Sequence, residues 1–556
     1  MYDLNLTESY VPPQPDGTPA RPAMTPLTTS HAAGPSEPEV RELTLGEALA
    51  EAAREWPDRV ALIEGRLDGA LGRAWTYAEF LNEAERAARA LRSRFEPGDR
   101  IAVWAHNIPE WALLQFGTAM AGMVLVTVNP AYQQAELDYV LHQSGARALF
   151  TVDEHRGNPM LAMARAAQPS CPALEAVVRF ADWEAFCTTG SGQSGELPVM
   201  APGDPVMIQY TSGTTGFPKG AVLHHRGLVN NGHHYFDRMG VKPGDTYITQ
   251  MPLFHTAGSV MSMLGCIGLR CTQVLVDQFD PGLVLRLCEE HRVNGMLGVP
   301  TMLIALLEHP DFDTTDLSAI TAVSSGGSVV PEQLVRTFED KLGAPFTILF
   351  GQTECSPTAT MNFVDDSIED KALTIGTAMP NTEVKIIDPE TGDTVPIGEI
   401  GELCVRGYHV MLGYHDMPDQ TAEAIDEDGW LHTGDLAAMD DRGYCTIEGR
   451  LKDMIIRGGE NIYPKELEEM LLEHPTVAEV AVVGLPDDKY GEAVGAFVRA
   501  APGVIIDEAE LFAYARERLA PHKTPKLWIT VDEFPLTGSG KIQKYVLRQR
   551  WENASL

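Results

Sequence analysis

Short apolar runs and amphipathic segments alternate along much of the chain. The runs 100-RIAVWA-105 and 123-MVLVTV-128 are short and apolar, which is typical of buried strands. Between them, 109-PEWALLQFGTAMAG-122 is long enough for a helix. The alternation continues further along, with strands predicted at 205–210, 273–278, 319–325 and 345–350 and helices at 283–291 and 331–342. Strand, helix and strand at this pitch predict an α/β fold with largely parallel sheets.

Two early helix starts carry a capping box. Thr44 is followed three residues later by Glu47, and Thr76 by Glu79, each pair ahead of an amphipathic run. In a capping box the hydroxyl and the carboxylate satisfy backbone N–H groups that the first helical turn leaves unpaired. We therefore predict that helices begin at residues 45 and 77.

The pattern changes twice in the last third of the chain. After about residue 380, short strands broken by glycine predict a small antiparallel or barrel-like part, with strands at 383–388 and 402–407. From about residue 450 the mixture is α+β, with helices predicted at 464–474 and 508–519 and strands at 477–484, 494–500 and 526–531. This second change indicates a separate C-terminal domain.

The predicted organisation has three parts. A Pro-, Ser- and Thr-rich arm covers residues 1–40, a large N-terminal domain of several subdomains covers 41–450, and a small C-terminal domain covers 451–556. The joint is expected near 449-GRLKDM-454, where charge and glycine interrupt the apolar pattern. The fold class is thus α/β, with parallel sheets and a small barrel-like part in the large domain, and a small α+β C-terminal domain.

Composition and charge narrow the function. The chain has 42 basic and 78 acidic residues, and its net charge of −36 disfavours nucleic acid as a partner. Eight cysteines without a C-x-x-C pair argue against a zinc or disulfide framework. No apolar run approaches the roughly 18 residues of a membrane helix. We expect a cytoplasmic protein without a transmembrane segment, and a homodimer is compatible with this sequence.

The loop 211-TSGTTGFPKG-220 follows the predicted strand 205-PVMIQY-210 directly. Its glycines allow close backbone approach, so that amide N–H groups can contact phosphate oxygens. Hydroxyl groups and Lys219 add donors and a positive charge. The spacing differs from the common P-loop, because proline precedes this lysine and glycine follows it. We predict a phosphate-binding loop.

Three further segments carry candidate chemistry. Glu354 follows the strand predicted at 345–350, where a carboxylate could hold Mg²⁺ or simply cap a turn. Asp435 and Arg450 could bind ribose, although an Asp in a Thr-Gly-Asp turn is commonly a turn former. Lys541 lies in a glycine-flanked loop and could deliver a cation to developing negative charge, or stay idle in solvent.

The histidines suggest two further readings. Four of them lie in 224-HHRGLVNNGHH-234, but the pairs are adjacent and do not share a helix face, which argues against a metal site. His255 stands alone in the apolar segment 252-PLFHTAG-258. It is either a core histidine or a functional one.

Taken together, the motifs resemble those of the adenylate-forming superfamily, which contains acyl-CoA synthetases, peptide-synthetase adenylation domains and luciferases. The resemblance runs from about residue 45 to 551, and its motifs stand in the family's order: 210-YTSGTTGFPKG-220, 252-PLFHTAG-258, 351-GQTE-354, 430-WLHTGD-435, 449-GRLKDMIIRGGENIYP-464 and 538-GSGK-541. It implies a substrate carboxylate and MgATP, an acyl-adenylate intermediate and release of pyrophosphate.

The resemblance also implies a role for each motif residue. Lys541, Glu354 and His255 would be catalytic, with Lys541 bridging carboxylate and α-phosphate, Glu354 holding Mg²⁺ with Thr215, and His255 gating the acyl pocket. Lys452 would be the hinge about which the C-terminal domain rotates. The remaining nucleotide- and thiol-site residues implied are Thr211, Ser212, Gly213, Thr214, Gly216, Lys219, Gly326, Gly327, Ser328, Phe350, Gly351, Gln352, Thr353, Asp435, Arg450, Gly458, Gly459 and Glu460.

Two positions depart from the usual family pattern. Phe350 stands where Tyr is common, and Ser328 completes a Gly-Gly-Ser where many members have Gly-Gly-Ala. The sequence as a whole resembles those of medium- and long-chain fatty acyl-CoA synthetases, which implies ATP-dependent ligation of a fatty acid to CoA. Alternatives within the superfamily are a fatty acyl-AMP ligase that loads a carrier protein and a diazotase that adenylates nitrite and transfers it to an aromatic amine. A catalytically dead nucleotide-binding scaffold fits less well, because the lysine, carboxylates and arginine are all present.

Overall fold

Strands of four sheets form most of the framework of the computed structural model, which describes residues 26–69, 72–190, 196–211, 218–328, 330–458, 460–487, 489–536 and 542–553. In chain order the strands are β1 (His31–Ala33), β2 (Val60–Gly65), β3 (Ala74–Thr76), β4 (Arg100–Trp104), β5 (Val124–Thr127), β6 (Ala148–Thr151), β7 (Ala176–Arg179), β8 (Pro205–Tyr210), β9 (Gly220–His224), β10 (Thr246–Thr249), β11 (Thr272–Val276), β12 (Gly295–Leu297), β13 (Ala322–Gly326), β14 (Phe346–Gly351), β15 (Thr358–Met361), β16 (Thr377–Ala378), β17 (Thr382–Ile387), β18 (Gly401–Gly407), β19 (Gly413–Tyr414), β20 (Leu431–Met439), β21 (Cys445–Arg450), β22 (Ile455–Arg457), β23 (Glu460–Ile462), β24 (Val477–Asp487), β25 (Gly491–Ala500) and β26 (Leu527–Thr530).

The helices lie between these strands and cover the sheets. In chain order they are α1 (Leu45–Glu55), α2 (Tyr77–Arg92), α3 (Pro109–Met120), α4 (Gln134–Ser144), α5 (Met160–Ala167), α6 (Trp183–Thr188), α7 (His225–Met239), α8 (Met263–Leu269), α9 (Pro281–Glu290), α10 (Pro300–Leu307), α11 (Glu332–Leu342), α12 (Ile368–Leu373), α13 (Pro418–Ala424), α14 (Pro464–Leu472), α15 (Glu508–Arg518) and α16 (Lys544–Glu552). Both predicted capping boxes are formed, since Thr44 and Glu47 close the start of α1 and Thr76 and Glu79 that of α2.

Two large sheets of mixed but mainly parallel strands form most of the N-terminal part. One has the order β19-β9-β8-β5-β4-β6-β7, and the other has the order β16-β15-β14-β13-β12-β10-β11-β2-β3. Pairing is parallel from β8 to β7 and from β14 to β2, with antiparallel strands at the edges. The parallel α/β prediction is therefore confirmed. Helices α1, α2 and α3 pack their alanine- and leucine-rich faces into one buried core with the first sheet.

A third sheet is antiparallel throughout, in the order β1-β17-β18-β20-β21. Its edge strand β1 belongs to the segment predicted as an extended arm, and it pairs with β17 through His31 opposite Lys385. The ladders on both sides of β20 are irregular, with register shifts near Glu402 on β18 and near Leu436 on β20. This sheet is the small antiparallel part expected after residue 380.

The C-terminal part has its own sheet and its own core. Strands β23, β22, β25 and β24 are antiparallel, and β26 adds to β25 in parallel. Apolar residues of α14 and α15, including Leu467 and Leu511, pack on one face of this sheet, and Leu547 of α16 packs on the other. The α+β character expected for this part is confirmed.

All eight cysteines are free and buried. They are distributed over the cores of the N-terminal sheets, at positions 171, 187, 266, 271, 288, 355, 404 and 445. Burial raises the pKa of several of these thiols, for example that of Cys187 to about 12. Among the described residues, no helix is both long and apolar enough to span a bilayer.

Candidate active site

The end of the predicted phosphate loop lies at the carboxyl end of β8. Thr211 N donates to the carbonyl oxygen of Lys219 at 2.9 Å, so the two ends of the loop meet and β9 starts directly after it. Gln209 of β8 donates to the carbonyl of Phe254 at 2.6 Å, which ties the strand to the 252–258 segment. The loop residues Ser212, Gly213, Thr214, Thr215 and Gly216 lie outside the described part of the chain.

Lys219 and Glu354 converge on one tyrosine. The Lys219 Nζ lies 4.8 Å from the centre of the Tyr414 ring, and the Tyr414 hydroxyl donates to Glu354 Oε1 at 2.7 Å. Strand β19 positions Tyr414 by pairing with Ala221 of β9, just after the loop. Burial, with the neighbouring Glu354 carboxylate, raises the pKa of Tyr414, so this phenol stays a neutral donor. The predicted phosphate-binding lysine and the predicted metal-binding carboxylate thus both contact Tyr414 and lie close to each other.

Asp435, Arg450 and Gln352 form a hydrogen-bonded set between two sheets. Asp435 on β20 is directly opposite Arg450 on β21, and Arg450 Nε lies 2.8 Å from Asp435 Oδ1. Gln352, just after β14, donates to Asp435 Oδ2 at 2.7 Å and to the carbonyl of Thr433 at 2.8 Å. The Asp435 side chain is 4% exposed, whereas that of Arg450 is 41% exposed. A fixed carboxylate beside an accessible guanidinium suits recognition of a sugar diol or phosphate.

Glycines beside this set allow the backbone to run close to its neighbours. A Cβ on Gly351 would lie 2.0 Å from the carbonyl oxygen of Pro357, and one on Gly326 would lie 2.7 Å from that of Leu349. Gly327 has φ +78°, a left-handed conformation that favours glycine. The Gly-Gly segment at the end of β13 and the Phe-Gly segment at the end of β14 therefore form a wall with few side chains, beside the half-buried ring of Phe350.

A cavity of about 780 Å³ lies between the N-terminal sheets and the C-terminal part. Such a volume is in the range of small-molecule and cofactor sites. The predicted residues that line it are Gly327, Ser328, Phe350, Gly351, Asp435, Arg450 and Lys452. From the C-terminal part it is lined by residues of α14, such as Lys465, and by Ile542 and Lys544 near α16. Thr353 is adjacent, at the start of the short 3₁₀ turn Thr353–Cys355 that carries Glu354.

The remaining C-terminal candidates are not all at this cavity. Lys452 is exposed in a 3₁₀ turn between β21 and β22. Gly458, with φ +64°, and Glu460 form the β22–β23 hairpin, and neither is among the described residues that line the cavity. Gly459 and Lys541 lie outside the described residues, although Leu536 and Ile542 on either side of the Lys541 loop form a β-bridge.

His255 lies at an exposed position at the end of the 252–255 segment. Its Nδ1 accepts from Ala257 N at 3.1 Å, which fixes the ring relative to the π-helical turn Ala257–Ser262 that follows. Ser259 Oγ donates to the His255 carbonyl at 3.1 Å. The reading of His255 as a buried core residue is therefore wrong, and its predicted gating role stays a prediction.

Two of the clustered histidines, His224 and His225 at the start of α7, hold backbone groups. His224 caps the helix, because its Nδ1 accepts from Gly227 N at 3.1 Å while its Nε2 contacts the carbonyl oxygen of Val410 at 3.2 Å. His225 Nδ1 accepts from Leu45 N at 3.2 Å. Among the described residues, the group of side chains close enough together to hold a metal ion does not include these histidines.

Three buried histidines, two of the cluster and His409, should make the folded state less stable as the pH falls. Burial lowers the pKa of His225 to about 4 and those of His234 and His409 to about 3, below the roughly 6.5 of an unfolded chain. The unfolded state then binds more protons, so their contribution to stability is present above about pH 6.5 and is lost as the pH falls below it. We expect the free energy of unfolding, measured by urea denaturation, to fall steadily between pH 6.5 and 5.

A matched variant separates these histidines from titrating carboxylates. His234→Gln removes one ionisable group and should reduce the slope of unfolding free energy against pH by up to about 1.4 kcal/mol per pH unit. An identical slope in wild type and variant would contradict the assignment of His234 as a buried neutral residue.

Tyr414 is a site residue that sequence reasoning missed. It joins Lys219 and Glu354, yet 413-GYH-415 carries no spacing that indicates chemistry. Its position depends on the pairing of β19 with β9, a contact between residues almost two hundred positions apart in sequence. An aromatic residue beside a glycine is too common to predict such a contact.

Comparisons with known proteins agree with this geometry. The AMP-binding enzyme family matches residues 49–415, and the AMP-binding enzyme C-terminal domain matches residues 466–541. The YngI protein of Bacillus subtilis (strain 168) is 41% identical over 92% of this chain and 98% of its own length. The human mitochondrial medium-chain acyl-CoA ligase ACSF2 is 36% identical over 94% and 90%. ATP-bound MatB from Rhodopseudomonas palustris superposes with a TM-score of 0.82 at 30% identity, covering 92% of this chain and 100% of MatB. The chain therefore belongs to the adenylate-forming superfamily of AMP-binding enzymes and is an ATP-dependent, AMP-forming ligase of the acyl-CoA synthetase type.

Proposed function

We propose that this enzyme activates a fatty acid as its acyl-adenylate and then transfers the acyl group to CoA. The observation that carries the proposal is the Gln352–Asp435–Arg450 set at the edge of a cavity of nucleotide size, beside the ring of Phe350. An aromatic face, a buried carboxylate and an accessible guanidinium match adenine, a ribose diol and a phosphate. Medium-chain activity in a relative, ACSF2, supports a fatty acid as substrate.

The nucleotide would lie with its adenine on Phe350 and its ribose on Asp435 and Arg450. The β- and γ-phosphates would then reach the loop that ends at Lys219, whose charge stabilises them. Gly326 and Gly351 allow close backbone packing in this wall, because a Cβ there would collide with the carbonyl oxygens of Leu349 and Pro357, and Gly327 has a left-handed φ that favours glycine. Ser328 is exposed at the cavity and could donate to the reacting carboxylate.

Glu354 has the chemistry to hold Mg²⁺ with the triphosphate. Its carboxylate is half-buried near Lys219, and Mg²⁺ prefers carboxylate and phosphate oxygens. The hydrogen bond from Tyr414 fixes one carboxylate oxygen in place. When bound, the ion supplies positive charge that offsets the triphosphate's negative charge. Thr215, the other proposed ligand, lies outside the described residues.

In the first half-reaction a carboxylate oxygen attacks the α-phosphorus of ATP. The bond from that phosphorus to the bridging oxygen breaks, and pyrophosphate leaves. Both reactants are anions, so positive charge near the α-phosphate is the main requirement. We propose that Lys541 supplies it. Its neighbour Ile542 lines the cavity, which supports this position.

In the second half-reaction the CoA sulfur attacks the acyl carbon, and the bond from that carbon to the AMP oxygen breaks. The thiol proton is released to solvent, and AMP leaves with the bonding electron pair on its phosphate oxygen. We propose that the C-terminal domain, residues 451–556, rotates about Lys452 so that Gly458, Gly459 and Glu460 approach the thiol. Gly458 and Glu460 lie on a hairpin outside the described lining of the present cavity, which fits a movement of this kind.

The experiment measures pyrophosphate release with a panel of fatty acids, aryl acids, and nitrite with an aromatic amine, each with and without CoA. A fatty acid that gives a CoA-dependent thioester supports the proposal. Transfer to a carrier protein in place of CoA would assign the enzyme to the fatty acyl-AMP ligases. Turnover that ignores CoA and requires nitrite and amine would replace fatty acid activation with diazotisation.

A further inference from the structure

The strand that carries Asp435 is bulged at this residue. Glu402 on β18 is opposite Leu436 on β20, and Cys404 is opposite His432. One residue separates the partners on β18, whereas three separate them on β20, so residues 433–435 leave the regular ladder. Bulges near active sites commonly redirect a side chain, at the cost of backbone groups that lose their ladder partners. Here the redirected side chain is that of Asp435.

Glu402 supplies a partner that the bulge needs. Its Oε1 accepts from Gly434 N at 3.0 Å, and its Oε2 lies 2.9 Å from His432 Nδ1. Gly434 has φ +68°, a conformation that favours glycine, and Glu402 is the acceptor for its N–H in this turn. Thr433 completes the arrangement, because its hydroxyl donates to the Leu403 carbonyl at 2.6 Å and accepts from Asp435 N at 3.1 Å.

The carboxylate of Glu402 is a demanding group to bury. The residue is 6% exposed, and a buried carboxylate is costly unless its oxygens are hydrogen-bonded. Both oxygens have partners, one in the backbone of the bulge and one in His432. The hydrogen bond to Glu402 raises the pKa of His432, which favours the ring as the donor in this pair. Because the buried Glu402 carboxylate has both of its partners at the bulge, we infer that it stabilises the bulge.

We propose that Glu402, held by His432, is a positioning residue for nucleotide binding: it fixes the β20 bulge so that Asp435 faces the ribose. The proposal rests on the proposed role of Asp435 in ATP binding. Glu402 contacts no substrate in this scheme, and it acts through the backbone of Gly434. Gln352 holds Asp435 from the opposite side, so the carboxylate is fixed from two directions.

The same side chains could instead hold a metal ion. Glu402, Cys404 and His432 offer ligand atoms within 4.8 Å of one another, and Cys404 Sγ lies 3.7 Å from His432 Nδ1. The two readings differ at Cys404. A metal site needs the Cys404 thiolate, whereas the hydrogen-bonded bulge does not. Both oxygens of Glu402 already have partners, one in Gly434 N and one in the His432 ring.

The test compares the ATP KM and kcat of variants in the complete acid–CoA ligation reaction. Glu402→Ala leaves Gly434 N without its acceptor and should raise the ATP KM roughly tenfold, with kcat within about threefold of wild type. Glu402→Gln keeps an acceptor for Gly434 N and should restore most of the affinity. Asp435→Ala should raise the ATP KM at least as much, and the Glu402→Ala/Asp435→Ala double variant should be no worse than Asp435→Ala alone.

Controls distinguish the outcomes. Glu383→Ala removes a carboxylate from β17 of the same sheet, one that pairs with Arg406 at 2.8 Å, and should leave the ATP KM unchanged. Cys404→Ala should also leave it unchanged; a rise together with stoichiometric zinc in the purified wild type would overturn the proposal in favour of a metal site. If Glu402→Ala does not fold, His432→Gln should raise the ATP KM by about threefold.

Two results would reject the inference for different reasons. An ATP KM within twofold of wild type in folded Glu402→Ala, or in His432→Gln if Glu402→Ala does not fold, with a large rise in Asp435→Ala, would refute the positioning role of Glu402 alone. No change in Asp435→Ala would refute the ribose role of Asp435 and the inference that depends on it. Additive losses in the double variant would show that Glu402 acts elsewhere.

Discussion

Replacing Lys541 with alanine is expected to slow acyl-adenylate formation about a thousandfold while leaving thioester formation from a supplied acyl-adenylate nearly intact. The first half-reaction brings a carboxylate against a triphosphate, so a missing cation raises its barrier. The second half-reaction has AMP as leaving group, and the proposed domain rotation would remove this lysine before it. Pyrophosphate exchange measures the first step, and CoA consumption with synthetic acyl-adenylate measures the second.

Lys544 offers a matched control for this experiment. It also lines the cavity, three residues further along, but its Nζ lies 2.7 Å from Glu468 within the C-terminal part. Lys544→Ala removes the same kind of charge three residues further along the chain and should change adenylation by less than about tenfold. Equal losses in both half-reactions for Lys541→Ala, or equal effects of the two substitutions on adenylation, would contradict the rotating-domain assignment.

Glu354→Gln should reduce adenylation by roughly a hundredfold at low Mg²⁺, with part of the rate recovered as Mg²⁺ is raised. Gln keeps the size of the side chain and an acceptor for the Tyr414 hydroxyl, but it removes the negative charge that a divalent cation requires. The measurement is the initial rate of pyrophosphate release across a Mg²⁺ titration at fixed ATP.

Tyr414→Phe separates the metal role of Glu354 from its hydrogen bond. The variant keeps the ring beneath Lys219 and removes only the donor to Glu354, so the Mg²⁺ dependence should shift by a few fold at most. If the rate of Glu354→Gln is lower than that of wild type by the same factor at every Mg²⁺ concentration, Glu354 has a structural role and does not bind the metal.

Much of the fold could be predicted because local signals and tertiary structure agree. The capping boxes at Thr44 and Thr76 start helices where expected, and the run 205-PVMIQY-210 is strand β8. The order of strands within each sheet could not be predicted in this way. Strand β2 lies beside β11, more than two hundred residues away in sequence, and no periodicity encodes that pairing.

In the candidate site, too, local motifs could be predicted from the sequence, whereas contacts between distant strands could not. Asp435, Arg450 and Gln352 were predicted individually from motifs, and the structure joins them through hydrogen bonds. The bulge that presents Asp435 depends on Glu402, whose surroundings in 401-GELCVRG-407 read only as an ordinary strand. Alternation of apolar and polar residues predicts which face a side chain takes, but the two extra residues in the partner strand β20 leave no trace in the pattern of β18.

The burial of every cysteine has a practical consequence for kinetics. Because native thiols are inaccessible, a chromogenic disulfide reagent added to samples withdrawn from a reaction should report only the CoA thiol that has not yet been consumed. The same reagent, applied to enzyme alone, should be consumed only as molecules open, at a rate that follows local or global unfolding. One colour change can thus count turnover in the first mixture and conformational opening in the second, without a label attached to the protein.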